Sequence, residues 1–184
     1  MIERLLGDEV QSPGRYLAEV IYGANDGIVT TFAVVSGIAG AALNPSIVLV
    51  LGAANLFADG FSMGMSNYLS RRSELDYRES VRADSSDGPP ADLDGGKSPR
   101  RTALVTFGAF VVAGWAPLVP YIIAATPAFP LSIGFTGVAF FLVGASRSLV
   151  TRRAWYVNGV EMFVVGMLAA AVAFTVGRLL GGLA

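Results

Sequence analysis

The 184 residues are 53% hydrophobic and only 15% charged, with a mean hydropathy of +0.58 and a formal net charge of −1. A soluble domain would carry nearer a quarter charged residues, and long apolar blocks are the mark of a membrane protein. The balance of charge excludes a basic nucleic-acid surface. The absence of Cys and His excludes disulfides, thiol chemistry and the commonest transition-metal ligands.

The first 16 residues, MIERLLGDEVQSPGRY, are charged and show neither an apolar core nor a cleavage site, so no signal peptide is expected. Five apolar segments follow, at 19–42, 46–70, 102–125, 129–149 and 155–178. Each is near the ~20 residues that a spanning helix needs. The fold expected is therefore an all-α membrane protein of five transmembrane helices, one membrane domain over 1–184. Leu43, Asn44, Pro45 and Ser46 join the first two segments, and residues 126–130 join the third and fourth. Both links suit tight helical hairpins. Pro117 and Pro120 predict a kink in the third segment.

Orientation follows from the basic residues. Twelve of the 13 lie in the N-terminal arm, the 71–101 stretch and the 147–153 stretch, all on one side of a five-span arrangement. The positive-inside rule then places the N-terminus in the cytoplasm and the C-terminus outside or in a lumen. The exception, Arg178, is close enough to the far end of its segment to snorkel outward.

Residues 71–100 read as a short acidic cytoplasmic loop. Between 73 and 99 seven acids oppose three bases. RRSELDYRESVRAD can continue the second helix, and SSDGPPADLDGGKSP reads as a linker. Glu74 and Glu79 are candidates for collecting metal at the cytoplasmic mouth; a plain solvated face is the alternative.

Asp26, Asp59, Glu161 and Arg178 are charges within the apolar segments. Each costs at least ~2.5–3.5 kcal/mol at bilayer depth, and such residues mark ion or proton pathways. Asn55, Asp59, Met63 and Asn67 recur every fourth residue and share a helix face. Residue counts place Asp26, Met63 and Glu161 each ~10 Å from the cytoplasmic end, with Asp59 a turn deeper. Carboxylate and carbonyl oxygens suit divalent ions, and a thioether shifts preference toward Fe²⁺ over Mg²⁺ and Ca²⁺. The expected metal ligands are Asp26, Met63, Asp59, Glu161 and Asn67. Alone, Met63 would read as a packing residue and the acids as bonds between helices. An intramembrane aspartyl enzyme with Asp26 and Asp59 as its dyad, or a non-transporting scaffold, are the other function classes.

At these residues the chain resembles the vacuolar iron transporter family, including its bacterial and nodulin-like members. GANDGIVTTFAVVSGIAGA (23–41) and NLFADGFSMGMSNYLSRRSE (55–74) resemble its first two helices. APLVPYII (116–123) and EMFVVGMLAAAVAFTVG (161–177) resemble its third and fifth. The resemblance implies a homodimer of five-helix chains exporting Fe²⁺, often also Mn²⁺, from the cytoplasm in exchange for protons. It implies pore roles for Asp26 and Met63. The metal is then substrate, and no cofactor is implied.

Two departures stand out. Ser66, Asn67 and Tyr68 occupy the place of the family's Gly-Glu-Tyr, and the cytoplasmic loop is too short for the Glu-rich metal-binding domain of plant members. The glycine pairs 23/27, 60/64 and 177/181 offer small-residue faces for self-association. Arginine dominance among the basic residues suits a GC-rich bacterial genome, which would place the chain in the plasma membrane; a eukaryotic source would place it in the vacuolar membrane.

Overall fold

The computed structural model describes residues 15–84, 96–149 and 151–181. The N-terminal arm through residue 14 and the linker acids Asp87, Asp92 and Asp94 lie outside the described residues. Among the described residues the secondary structure is entirely helical. Five long helices form it: α1 (Leu17–Gly40), α2 (Ser46–Asp84), α3 (Pro99–Gly114), α4 (Ala128–Ser146) and α5 (Trp155–Gly181).

Helix α1 is the centre of the bundle. It packs against each of the other four and buries nine residues, from Gly23 to Ile38. Among the described residues four stretches are long and apolar enough to cross a membrane: Ser46–Val81, Pro99–Ile122, Ala128–Leu149 and Trp155–Gly181. Helix α1 is not among them, because Asn25, Asp26, Thr30 and Thr31 dilute its apolar content. A helix enclosed by other helices meets protein rather than lipid, so it tolerates such polarity.

Two glycines let α3 come close to α1. A Cβ on Gly23 would stand 2.5 Å from the Thr106 carbonyl oxygen, and one on Gly27 would run into the Phe110 carbonyl. At the other end, a Cβ on Gly177 of α5 would lie 2.6 Å from Gly37 Cα of α1. Gly60 and Gly64 face Phe107, Phe110 and Ala103 of α3, and Gly181 faces Ala41. The three glycine pairs expected to serve self-association are therefore occupied within one chain, and they lend a dimer no support.

Helix α2 continues well past the apolar segment that ends at residue 70. Its 39 residues make a rod of about 58 Å, against ~30 Å of hydrocarbon. The extension is sustained by ion pairs one turn apart: Arg71 with Glu74 at 2.7 Å, Arg78 with Glu74 at 2.5 Å, and the looser Arg72 with Asp76 at 3.9 Å. The expected loop over 71–100 is thus helical through Asp84.

Helix α3 stops at Gly114, and a 3-10 turn (Ala116–Leu118) and one further helical turn (Val119–Ile122) carry the chain on. Pro117 and Pro120 lack the N–H that an unbroken helix requires, which gives the expected kink. The Pro117 carbonyl is recovered by Ser132 Oγ of α4, which donates to it at 2.6 Å.

Three aromatic rings stack at the end of the bundle where Arg178 lies. Phe129 stacks on Phe32 and on Phe174, with centroids 6.3 and 5.6 Å apart. The main core runs from Val48 and Leu56 of α2 through Val35 of α1 to Phe110 and Leu118.

Candidate functional site

Asp26 and Asp59 come from the two helices that the first hairpin joins. Both are half-buried, and their carboxyls lie within electrostatic range of one another. Asn55 Nδ2 donates to Asp59 Oδ2 at 2.8 Å, one turn up the same helix, and so orients that carboxylate. Beside Asp26, Thr30 Oγ1 turns back to the Asp26 backbone carbonyl at 2.8 Å, leaving the carboxylate itself unengaged by that hydroxyl. Met63 is half-buried one turn beyond Asp59 and packs against the main core.

Asn67, the last member of the stripe, is a tether. Its Nδ2 donates to Thr106 Oγ1 of α3 at 2.8 Å, and Thr106 in turn donates to the Thr102 carbonyl at 2.9 Å. Its amide oxygen is the only side-chain atom it could offer to a cation.

Glu161 does not join this group. Helices α2 and α5 make no substantial contact with one another, each packing on α1 instead. The Glu161 side chain is 48% exposed, and its Oε2 sits 3.7 Å from Arg147 and 3.6 Å from Arg153. Equal depth had placed it beside Asp26 and Met63. Depth fixes position along a helix and not rotation about the bundle, and two guanidinium groups claim this carboxylate. Among the described residues no three acidic side chains gather as a metal cage.

The two loop candidates also have defined surroundings. Glu74 is held between Arg71 and Arg78, at 2.7 and 2.5 Å, so a cation there would compete with two fixed positive charges. Glu79 is exposed on the same helix.

The sequence reading passed over a pair at the end of the bundle where α1 and α3 begin. Glu19 Oε1 of α1 and Lys97 Nζ, just before α3, lie 2.8 Å apart, with side chains 13% and 22% exposed. Lys97 also stands 5.8 Å over the Tyr16 ring, and Arg71 Nε approaches the Lys97 carbonyl at 3.4 Å. This knot ties the start of α1, the α2 extension and the start of α3. Nothing in the spacing marks it, because Glu19 and Lys97 are 78 residues apart.

The VIT family model matches residues 17–88 and 85–178, nearly the whole helical part of the chain. The chain belongs to the VIT family. Among curated relatives of this VIT-family chain, Vacuolar iron transporter 2 of Oryza sativa subsp. japonica is 26% identical, over 96% of this chain and 94% of its own length. Vacuolar iron transporter 1 of the same plant is also 26% identical, over 90% and 85%. The Vacuolar iron transporter of Plasmodium berghei (strain Anka) is 45% identical over 62 residues; that match spans 34% of this chain and only 23% of the relative. Its four apolar helices and these relatives make the VIT-family chain a multi-pass membrane protein.

Proposed function

We propose that this protein exports a divalent transition metal, Fe²⁺ or Mn²⁺, from the cytoplasm in exchange for protons. The observation that carries the reading is that Asp26 and Asp59, both half-buried, stand on α1 and α2, packed neighbours in an apolar bundle. Two carboxylates so placed repel unless a cation or a proton compensates them. One site therefore serves both ions in turn: an arriving metal releases protons, and returning protons expel the metal.

Asp26 supplies the charge that offsets lost hydration, Asp59 the second charge, and Met63 a soft contact that tilts preference toward Fe²⁺. The Asn67 oxygen is available at the cytoplasmic side. Membership of the VIT family and relatives named as iron transporters support the substrate class. In this reading all five helices span the membrane, with the N-terminus in the cytoplasm and two chains assembling as a dimer. The membrane is the plasma membrane in a bacterium and the vacuolar membrane in a eukaryote.

The test is reconstitution into proteoliposomes. An opposing proton gradient should drive uptake of Fe²⁺ or Mn²⁺, and a protonophore should collapse it. An initial rate and accumulation unchanged by the protonophore would rule out the coupling. No uptake of either ion by a folded, correctly inserted preparation would leave the scaffold reading in its place.

A further inference from the structure

Between α1 and α5, where α4 ends, lies an open groove of about 410 Å³ that the metal site does not use. Ala18, Ile21, Met162 and Val165 give it apolar walls, and Tyr22, Asn25, Arg147 and Glu161 add polar ones. Arg153 approaches from the connection between α4 and α5 and shares Glu161 Oε2 with Arg147.

The geometry of that triad is informative. Contacts of 3.6 and 3.7 Å are ion pairs but too long for hydrogen bonds, so the fork-shaped donors of both guanidiniums keep their hydrogen-bonding capacity. One carboxylate faces two guanidiniums, and Arg152 adds a third positive charge to the same turn. The place is therefore positively charged on balance.

The surroundings say what kind of anion fits. Trp155 and Tyr156 begin α5, each 57% exposed, edge to face at 5.9 Å. Exposed aromatic pairs of this kind mark the boundary between hydrocarbon and headgroups. Beyond them α5 presents Val160, Val164 and Leu168 outward, an exposed apolar strip suited to hydrocarbon. A cationic fork at the headgroup level and an apolar channel running from it match one amphiphile, with a phosphate at one end and hydrocarbon at the other.

We propose that Arg147 and Arg153 bind the phosphate of an anionic phospholipid whose acyl chain lies along Ile21, Met162 and Val165. Glu161 is the internal competitor: it holds the two guanidiniums in place while the site is empty and weakens their hold on phosphate. The proposal stands whether or not the chain moves metal.

Its test reads lipid binding. Full-length protein in detergent is titrated with phosphatidylglycerol or phosphatidylcholine, and bound lipid is counted by native mass spectrometry. Phosphatidylglycerol should bind in preference. The double variant Arg147→Gln/Arg153→Gln should bind it roughly 30-fold more weakly, two juxtamembrane cations having been lost. Glu161→Gln should bind it about fivefold more tightly, the opposite sign, which a merely structural role for Glu161 does not give. Arg178→Gln, at the far end of α5, should change nothing.

If the double Gln variant fails to fold, Arg147→Lys/Arg153→Lys keeps the charge and should retain a weakened preference, while Glu161→Gln still reports the sign. Equal binding of the two lipids, an equal loss in Arg178→Gln, or no gain in Glu161→Gln overturns the proposal. So does competition by deacylated glycerophosphoglycerol as strong as by the intact lipid, because the groove would then contribute nothing.

Discussion

Single side chains divide the stripe on α2 into parts with different duties. Asp59 is oriented by Asn55, Asn67 is tied to Thr106, and Met63 leans half-buried on the core. Asp26→Asn keeps size and hydrogen bonding but removes the charge, so transport of every divalent ion should fall steeply. Met63→Leu keeps apolar volume but removes sulfur, so Fe²⁺ should suffer more than Mn²⁺. Initial uptake of both ions at matched protein levels distinguishes these outcomes. Full activity in Asp26→Asn would take that residue out of the pathway. Equal losses in Met63→Leu would leave Met63 as packing alone. The Glu19–Lys97 pair makes a separate claim. Lys97→Met should lower stability by about 1–3 kcal/mol, because it strands a largely buried carboxylate. The reading is the detergent melting temperature, and an unchanged value would mean that water replaces the ammonium at no cost.

Helices explain which of these features were visible beforehand. The apolar blocks gave the long helices and the kink at Pro117 and Pro120, because length, hydropathy and a missing N–H are local properties. The α2 extension was one of two readings of 71–84, and its turn-spaced ion pairs decide it. Partners across the bundle were not legible, since they depend on how each helix is rotated. Glu161 shows this: a residue count gives its place along α5, yet its neighbours are Arg147 and Arg153. Those arginines had been counted only as marks of orientation. Glycines carry the same lesson and a test. Gly37 and Gly177 meet each other, but a Cβ on Gly37 would find open space, whereas one on Gly177 would strike Gly37. Gly37→Ala should therefore be neutral or slightly stabilising. Gly177→Ala should cost about 1–3 kcal/mol through overpacking, as should Gly27→Ala. Thermal melts of the three variants would check the order, and equal losses at Gly37 and Gly177 would contradict the asymmetry.

At the scale of the whole molecule, charge and hydropathy set the frame. The described basic residues other than Arg178 belong to the same side of a five-span arrangement, so a reporter fused after Ala184 should be active only outside the cytoplasm. An intact fusion active only in the cytoplasm would invert or break that topology. Self-association must rest on surfaces other than the glycine pairs, which are taken up inside the chain. Exposed Phe57, Phe61, Met65 and Leu69 on α2 are apolar and available to lipid or to a second copy. Crosslinking in native membranes from that face should return a dimer, and monomer alone from a validated site would count against one.

The enclosed, polar α1 has a consequence for how the molecule is made. It leaves the ribosome before the other four long helices, yet it is the one least suited to partition into lipid on its own. Its carboxylate, amide and hydroxyl groups meet their enclosing neighbours only after α2, α3 and α5 have been synthesised. Biogenesis therefore runs against the order of the chain: later, greasier segments must settle and recruit the first one between them. A fragment ending at residue 45 should insert poorly, and adding α2 should rescue it, as glycosylation mapping during translation can measure.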